Sequence, residues 1–133
     1  KKIFMGEKDF QQLYLVKKFI ENKYSIKVIP CKTIRNSKKL ALSSRNMLLN
    51  KKELNIAARL SQNLINFKKN LKKIKDVKNK LIQKKIELNK TLNVKIEYFE
   101  LRNIYNLKKS DKIKNSRIFI SYYLNKVRLI DNF

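Results

Sequence analysis

The chain has 133 residues and a formal net charge of +24, because 34 Lys and Arg residues oppose 10 Asp and Glu. It has no His and one Cys, which excludes an intrachain disulfide and a zinc site built from Cys and His. We expect a cytoplasmic protein, because no apolar run nears the about 20 residues that span a bilayer and the first residues are too few for a signal peptide.

The first predicted elements form one α/β crossover unit. A strand ends in a turn at Gly6, and a helix begins near Asp9, which can cap it. The inward residues of this helix are predicted to be Phe10, Leu13, Val16 or Lys17, and Ile20. A second strand is predicted over residues 24–29 and stops at Pro30. One such unit cannot build a parallel sheet, so we expect further strands outside this chain.

A polar connector, residues 31–45, leads to two predicted helices. Asn50 and Glu53 resemble a capping box with Asn in place of Ser or Thr. The helix that they open is predicted to turn inward Leu54, Ala57, Ala58, Ser61, Leu64 and Ile65. A second helix is predicted over residues 71–88, with a lysine-rich outer face and the inward residues Leu71, Ile74, Val77, Leu81 and Ile82.

Alternation in steps of two predicts three strands at the end of the chain. The first carries Val94, Ile96, Tyr98 and Leu101. The second covers residues 117–123, and the third covers residues 126–130 after a tight turn near Leu124 and Asn125. Two helices against a small antiparallel sheet predict a compact α+β unit.

Residues 6–13 form the first of two runs that suit phosphate. Gly6 permits a sharp turn and close approach of a ligand, and the helix behind it presents a positive dipole end. Lys8 adds a cation, Asp9 can accept hydrogen bonds from sugar hydroxyls, and Gln12 lies one turn further along. The alternative is a plain glycine turn with an Asp cap and an exposed lysine.

Residues 40–46 form the second run. Ser43 and Ser44 offer hydroxyls and backbone amides, and Arg45 can bind two phosphate oxygens at once. The set suits a polyphosphate. The alternative is a serine-rich cap on the next helix.

Taken together, the two runs resemble those of the pantothenate synthetase family, the pantoate–β-alanine ligases. Residues 30–35 match the family's Pro-x-x-Thr-(Val/Ile)-Arg connector between the runs. Residues 100–102 match a Glu-Leu-Arg strand end, and residues 128–132 match the closing Arg-Leu-Ile-Asp-Asn. The resemblance therefore spans the whole chain.

This resemblance implies an α/β fold in two parts. Residues 1–34 would be the last crossover unit of a Rossmann-like, ATP-binding domain, and residues 35–133 a C-terminal α+β lid domain with a short antiparallel sheet. The family's first half carries a His-x-Gly-His segment and most of the nucleotide-binding sheet, and nothing here supplies them. We therefore expect a C-terminal half that is inactive alone, from a family that usually dimerises through its N-terminal domain.

The activity that the resemblance implies is ATP-dependent condensation of pantoate with β-alanine to pantothenate, through a pantoyl adenylate and usually with Mg²⁺. Lys8, near the phosphates, and Arg45 are the catalytic candidates, and Gln12 matches a pantoate-binding position. Asp9 matches a ribose contact and Ile34 an adenine contact. No metal ligand is implied, and the residues that match ATP-binding positions are Gly6, Glu7, Lys8, Asp9, Ile34, Leu42, Ser43, Ser44 and Arg45.

The chain departs from the family pattern at Lys38 and Lys39, where Asp-Gly is usual. This change removes a flexible hinge before the second run. Bulky residues also stand in the last strands where the family has small ones, at Phe119, Tyr122 and Tyr123. Both departures bear on the mobility of the loop rather than on the identity of the ligand.

The large positive charge has two interpretations. Only six of the cations are Arg, the usual bidentate reader of bases and phosphates, whereas Lys is a hydrated point charge. The lysines are mixed with many Asn and Ile residues, as a bias toward A- and T-rich codons would produce. We favour a solvated basic surface, with a small basic nucleic-acid-binding module as the alternative function.

Overall fold

A computed structural model describes residues 1–71 and 74–133. These residues separate into two compact units, Lys1–Ile34 and Arg35–Phe133, and each unit has a sheet of its own. No helix in the described part of the chain is both long and apolar enough to cross a membrane. The predicted assignment of the two parts to domains of a larger enzyme stays a prediction.

The first unit is the predicted α/β crossover. Strand β1 (Lys2–Gly6) is followed by a 3-10 turn (Glu7–Asp9), helix α1 (Phe10–Lys23) and strand β2 (Lys27–Cys31). The strands pair in parallel. On α1, Leu13 is buried, and the half-buried residues beside it include Val16 rather than Lys17.

The second strand differs from its prediction at both ends. Tyr24 caps α1 instead of opening the strand, and its N–H donates to the carbonyl of Ile20. Pro30 lies inside the strand, opposite Met5. Among the described residues β2 pairs with β1 alone, and a strand that is paired on one side tolerates a proline, which has no N–H, better than a central strand does.

The first long helix of the second unit begins at the predicted capping box. A 3-10 helix (Ser44–Leu48) precedes α2 (Lys51–Leu71). The Asn50 N–H donates to Glu53 Oε2 at 2.8 Å, and the Glu53 N–H donates to Asn50 Oδ1 at 2.9 Å. These reciprocal bonds satisfy N–H groups that a helix start leaves without partners.

The second helix begins later than predicted. Leu71 ends α2, and α3 (Val77–Leu92) begins after Asp76, whose carboxylate accepts the Asn79 N–H. Starting from Val77, the helical period buries Leu88 and Leu92, and it leaves Ile82 51% exposed, so the inward prediction for Ile82 is wrong. Residues 72 and 73 of the predicted helix lie outside the described residues.

The three predicted strands form an antiparallel sheet in the order β3 (Lys95–Asn103), β4 (Ser116–Leu124) and β5 (Val127–Asn132). The pairing of β3 with β4 shifts between Ile96 and Tyr98. The alternation restarts after this bulge, so Phe99 is buried and Tyr98 only half-buried. The turn between β4 and β5 is Asn125 and Lys126.

The core of the second unit is formed by α2, α3 and the sheet. Its completely buried large side chains are Leu60, Leu64, Leu71, Leu88, Ile118 and Ile120. Phe119 and Tyr122, which are bulky where the family has small residues, are also buried. Burial raises the pKa of the Tyr122 phenol, so it stays neutral in this core. These side chains fill the interior of the unit.

Candidate functional site

The residues of the first run lie where β1 ends. Gly6 is the last residue of β1 and pairs with Cys31, the last residue of β2. Because the strands are parallel, the turn Glu7–Asp9 and the segment that leads to Ile34 leave from the same edge of the sheet. The carboxyl edge of parallel strands is where α/β sheets bind ligands.

Gly6 does not make the turn that the sequence predicts. Its φ of −68° and ψ of 135° are extended, and the three residues after it form the bend. That part of the interpretation is wrong, because any residue adopts this backbone. A Cβ at Gly6 would meet no described atom within 4 Å, so there is open space through which a ligand can approach the backbone.

Asp9 and Gln12 flank the first turn of α1. Asp9 occupies the predicted N-cap position, but its carboxylate accepts no hydrogen bond from a described N–H of the helix. Both side chains are exposed, and a spacing of three residues puts them on one side of the helix. Lys8, between Gly6 and Asp9, is half-buried. The unit therefore presents a carboxylate and an amide together beside the end of β1.

The second run crosses from the core to the surface. Leu40 and Ala41 are buried, whereas Leu42, Ser44 and Arg45 are exposed. Ser43 Oγ accepts the Arg45 N–H at 3.3 Å and caps the 3-10 helix. The alternative interpretation of this run, a serine cap on the next helix, therefore applies to Ser43 and the 3-10 helix, whereas Asn50 caps α2.

Arg45 lies beside an ion pair of the sheet. Its Nη1 donates to the carbonyl of Arg128 at 3.0 Å. Arg128 in turn bonds Glu97 Oε2 through Nε at 2.9 Å and Nη2 at 2.6 Å, which lowers the pKa of Glu97 and raises that of Arg128. A guanidinium bonds a phosphate, which carries negative charge and can accept two of its N–H groups at once, more strongly than it bonds one exposed neutral carbonyl. The Arg45 guanidinium can therefore exchange that partner for an anion.

The second run also borders an open depression of about 760 Å³. This volume lies within the range of small-molecule sites, about 300–1,000 Å³. Serine hydroxyls and asparagine amides are set in its largely apolar wall, and the lining residues are Asn36, Leu40, Leu42, Ser43, Ser44, Asn46, Met47, Leu49 and Leu54. The structure therefore brings three of the predicted residues, Leu42, Ser43 and Ser44, to one cavity.

Sequence reasoning missed the contacts that hold this run in place. Asn46 Nδ2 donates to the carbonyl of Ala41 at 3.0 Å. Arg35 donates to both carboxylate oxygens of Asp131, at 2.7 and 2.8 Å. The motifs that contain Arg35 and Asp131 were recognised, but a single sequence gives no signal that residues 96 positions apart meet.

The chain is similar to proteins of one known family. The pantoate-beta-alanine ligase family matches residues 1–133. The pantothenate synthetase of Flavobacterium psychrophilum is 37% identical to this chain in an alignment 133 positions long. The alignment covers 97% of this chain and 47% of that protein. The crystal structure of pantothenate synthetase from Thermus thermophilus superposes with a TM-score of 0.88 at 26% identity, over 99% of this chain and 49% of that one.

A second solved structure extends the comparison to a complex. Pantoate-beta-alanine ligase from Francisella tularensis, complexed with beta-gamma ATP and beta-alanine, has a TM-score of 0.71 at 32% identity, over 99% of this chain and 42% of that one. The chain spans about half the length of the curated relatives it matches. Because the family matches every residue from 1 to 133, the chain belongs to the pantoate–β-alanine ligase family.

Proposed function

We propose that this chain supplies part of the active site of a pantoate–β-alanine ligase, an AMP-forming enzyme that makes pantothenate from pantoate, β-alanine and ATP. The observation that carries the proposal is the parallel pairing of Gly6 with Cys31, with open space above Gly6. It gives the first run the edge at which α/β sheets bind nucleotides. The ATP and β-alanine complex of the Francisella relative supports the same ligands here.

In the first step, a pantoate carboxylate oxygen attacks the α-phosphorus of ATP. A C–O–P linkage forms, the bond from the α-phosphorus to the bridging oxygen breaks, and pyrophosphate leaves with that electron pair. Two anions approach one another and charge grows on the leaving group, so fixed cations lower the barrier. In the proposal Lys8 has this role in the first unit and Arg45 has it in the second, and the Ser43 and Ser44 hydroxyls would bind phosphate oxygens beside Arg45.

In the second step, the amine of β-alanine attacks the carbonyl carbon of pantoyl adenylate. An amide bond forms, AMP leaves as the acyl–phosphate bond breaks, and the amine loses a proton to solvent. Since pyrophosphate and AMP are good leaving groups, neither step needs a protein nucleophile. The absence of His from this chain is therefore compatible with its share of the chemistry.

The remaining candidates position the substrates. Asp9 would accept hydrogen bonds from the ribose, and the backbone of Ile34 would meet adenine. Gln12 would bind pantoate beside them, on the turn of α1 that carries Asp9. Glu7 completes the turn after Gly6, and Leu42 adds apolar contact at the depression.

Mg²⁺ belongs to the proposal only as an ion that arrives on ATP. Within residues 1–71 and 74–133, no group of three or more Asp, Glu, Cys or His side chains could hold a metal. Mg²⁺ keeps most of its water and binds substrate phosphates in many such enzymes, where it offsets their charge. In the proposal, the ion is therefore bound by the phosphates of ATP.

The proposal extends to the rest of the enzyme. We infer that this chain is its C-terminal half, that residues 35–133 act as a lid, and that the half is inactive without its complement. The exposed, unpaired Cys31 fits a reducing compartment and so a cytoplasmic enzyme. Homodimerisation would involve the complementary half.

The decisive experiment measures pyrophosphate release by the complete enzyme that contains this chain. With ATP alone we expect no release, and with pantoate added we expect release and an acid-labile pantoyl adenylate. AMP and pantothenate should appear once β-alanine is added, and the isolated chain should do none of this. A folded, complete enzyme that releases no pyrophosphate with pantoate would overturn the proposal.

Gln12 provides a test of the pantoate site. In the complete enzyme, Gln12→Ala should raise the KM for pantoate about tenfold, the equivalent of about 1.4 kcal/mol of lost binding, and leave the KM for ATP within twofold. The matched control is Gln11→Ala, a change at the neighbouring exposed glutamine. An unchanged pantoate KM in Gln12→Ala would remove this residue from the site.

A further inference from the structure

The phosphate loop, defined here as residues 42–48, runs between two side-chain anchors that hold it to one hairpin. The anchors flank the loop, Arg35 seven residues before it and Glu53 five residues after it. Both reach the β4–β5 hairpin, Arg35 through Asp131 near its last residue and Glu53 through Asn125 at its turn. Neither anchor is among the residues implied to touch ligand.

The first anchor is a buried ion pair. The Arg35 side chain is 17% exposed and that of Asp131 is 5% exposed. Arg35 also donates to the carbonyls of Lys39 and Asn132, at 3.1 and 3.2 Å, and its guanidinium lies 4.7 Å from the Phe133 ring. One guanidinium thus binds the chain before the loop to the end of β5.

The second anchor joins a helix start to a hairpin turn. Glu53 is 9% exposed, and its two carboxylate oxygens have different partners. Oε2 accepts the Asn50 N–H, and Oε1 accepts the side-chain amide of Asn125. The capping box accounts for the first contact only. The second fixes the beginning of α2, immediately after the loop, to the β4–β5 turn.

Between the anchors, the loop contacts the same hairpin through a weaker bond. Arg45 donates to the carbonyl of Arg128 on β5, which is the edge strand of the sheet. Leu42, Met47 and Leu48 are 54%, 83% and 70% exposed, so apolar burial contributes little to the position of the loop. Residues 42–48 are therefore held mainly from their flanks, by the two anchors and by the buried residues Leu40, Ala41 and Leu49.

We propose that Arg35 and Glu53 are positioning residues for the ATP phosphates, since they fix both ends of the phosphate loop on the β4–β5 hairpin. This inference rests on the proposed function. The bond from Arg45 to Arg128 exchanges for phosphate while both anchors stay closed, so the arginine moves and its backbone does not. Holding a cation within a fraction of an ångström of its target is worth large rate factors.

The test uses Asn125, because removing Asp131 would leave the Arg35 charge buried without a partner and endanger folding. Asn125 has a φ of 50°, a conformation that glycine adopts at no cost, so Asn125→Gly removes the amide and keeps the turn. The matched control is Asn115→Gly, the same change at a φ of 58° in the connection before β4. Glu53→Gln is the conservative variant, because its amide can donate to a flipped Asn125.

In the complete enzyme, we expect Asn125→Gly to raise the KM for ATP about tenfold, with the KM for pantoate within twofold and an unchanged melting temperature. An arginine-specific protease should cut it faster after Arg45. Asn115→Gly should behave as wild type, and Glu53→Gln should stay within about threefold of the wild-type KM for ATP.

Two outcomes separate this inference from the function that it rests on. An unchanged ATP KM and unchanged cleavage in Asn125→Gly would overturn the positioning role, while loss of turnover in Arg45→Ala would still support the ligase. Equal increases in the KM for ATP and in the KM for pantoate would also overturn the positioning role, because they would indicate that the whole enzyme is destabilised. Wild-type turnover in Arg45→Ala would instead contradict the proposed function.

Discussion

Lys39 holds a left-handed backbone, with a φ of 67°, at the position where the family pattern has glycine. The Lys39 N–H donates to the carbonyl of Asn36, and the Lys39 carbonyl accepts a hydrogen bond from Arg35. Both bonds depend on that conformation. The turn thus has a backbone geometry that favours glycine, although a lysine stands there. Where the resemblance implies a flexible Asp-Gly hinge, this structure has a strained and well-bonded turn.

We therefore expect Lys39→Gly to stabilise the chain. It relieves about 1–2 kcal/mol of left-handed strain, and the freer unfolded chain offsets about 0.4–1 kcal/mol of that gain. The net increase in the free energy of unfolding should be about 0.5–1 kcal/mol, measured by urea denaturation. Ser37→Gly, in the same turn but without a positive φ, should lose stability instead. A loss in both variants would show that Lys39 is not strained.

Lys8 and Arg45 should matter to turnover far more than to folding. Removing a cation that meets the charge of a transition state costs about 3 kcal/mol, so Lys8→Ala and Arg45→Ala should each lower kcat at least about a hundredfold. Arg45→Ala loses one exposed hydrogen bond, which changes stability by about 1 kcal/mol or less. Steady-state pyrophosphate release and thermal unfolding separate the two effects. The control is Arg59→Ala, an exposed arginine on α2, and wild-type kcat in both site variants would contradict the assignment.

At the scale of elements, the sequence patterns correctly predicted the features that depend only on residues close together in the chain. The capping box at Asn50 and Glu53, the crossover in the first unit and the three final strands are all present. The errors arose where a neighbouring element decides. Pro30 lies in a strand that pairs on one side only within the described residues, and Phe99 replaces Tyr98 in the core because a bulge shifts the pairing.

The candidate site divides in the same way. Its candidate residues could be proposed because they are contiguous in the sequence, and most residues of the run 40–46 line one depression. The bonds that hold them were not found, because they join Arg35 to Asp131 and Glu53 to Asn125 across 96 and 72 positions. The charge and hydrogen-bonding capacity of these side chains are visible in a sequence, but the choice of partner is made by the fold.

Strand β3 carries an acid-sensitive cluster around Glu100. Arg102 and Lys109 bond its carboxylate, each at 2.8 Å. Burial raises the pKa of Glu100, but the hydrogen bonds from Lys109 and Arg102 outweigh it and hold the pKa below its ordinary value of 4.5. A carboxyl with a lowered folded pKa stabilises the fold above its unfolded pKa, and that stability is lost as the pH falls through the folded value.

The free energy of unfolding should therefore fall as the pH drops below 4.5, and the slope should be shallower in Glu100→Gln. Urea denaturation at several pH values between about 3 and about 6 measures this slope. Asp111→Asn, which removes an exposed carboxylate from the connection between β3 and β4, is the control. Equal slopes in wild type and Glu100→Gln would show that the cluster does not contribute.

For the whole molecule, the positive charge and the proposed ligands have to be reconciled. A net charge of +24 attracts ATP and the growing pyrophosphate without any specific contact. It attracts RNA for the same reason, so charge alone does not distinguish the ligase from the basic module. The distinction lies in geometry, because the candidate residues of the two runs are few and contiguous, whereas the exposed lysines of α3, Lys78, Lys80 and Lys90, are spread along the helix.

We therefore expect the complete enzyme to bind single-stranded RNA no more tightly than non-specific proteins do, with a Kd of about 10⁻⁴–10⁻⁶ M at physiological salt. Replacing Lys78, Lys80 and Lys90, all exposed on α3, with Gln should weaken this binding and leave pantoate-dependent pyrophosphate release unchanged. Fluorescence anisotropy against salt concentration measures the first effect. Each phosphate contact that is lost should reduce the slope of log K against log salt by about 0.7. Nanomolar binding that prefers one RNA sequence would instead favour the nucleic-acid-binding module, because surface lysines do not read bases.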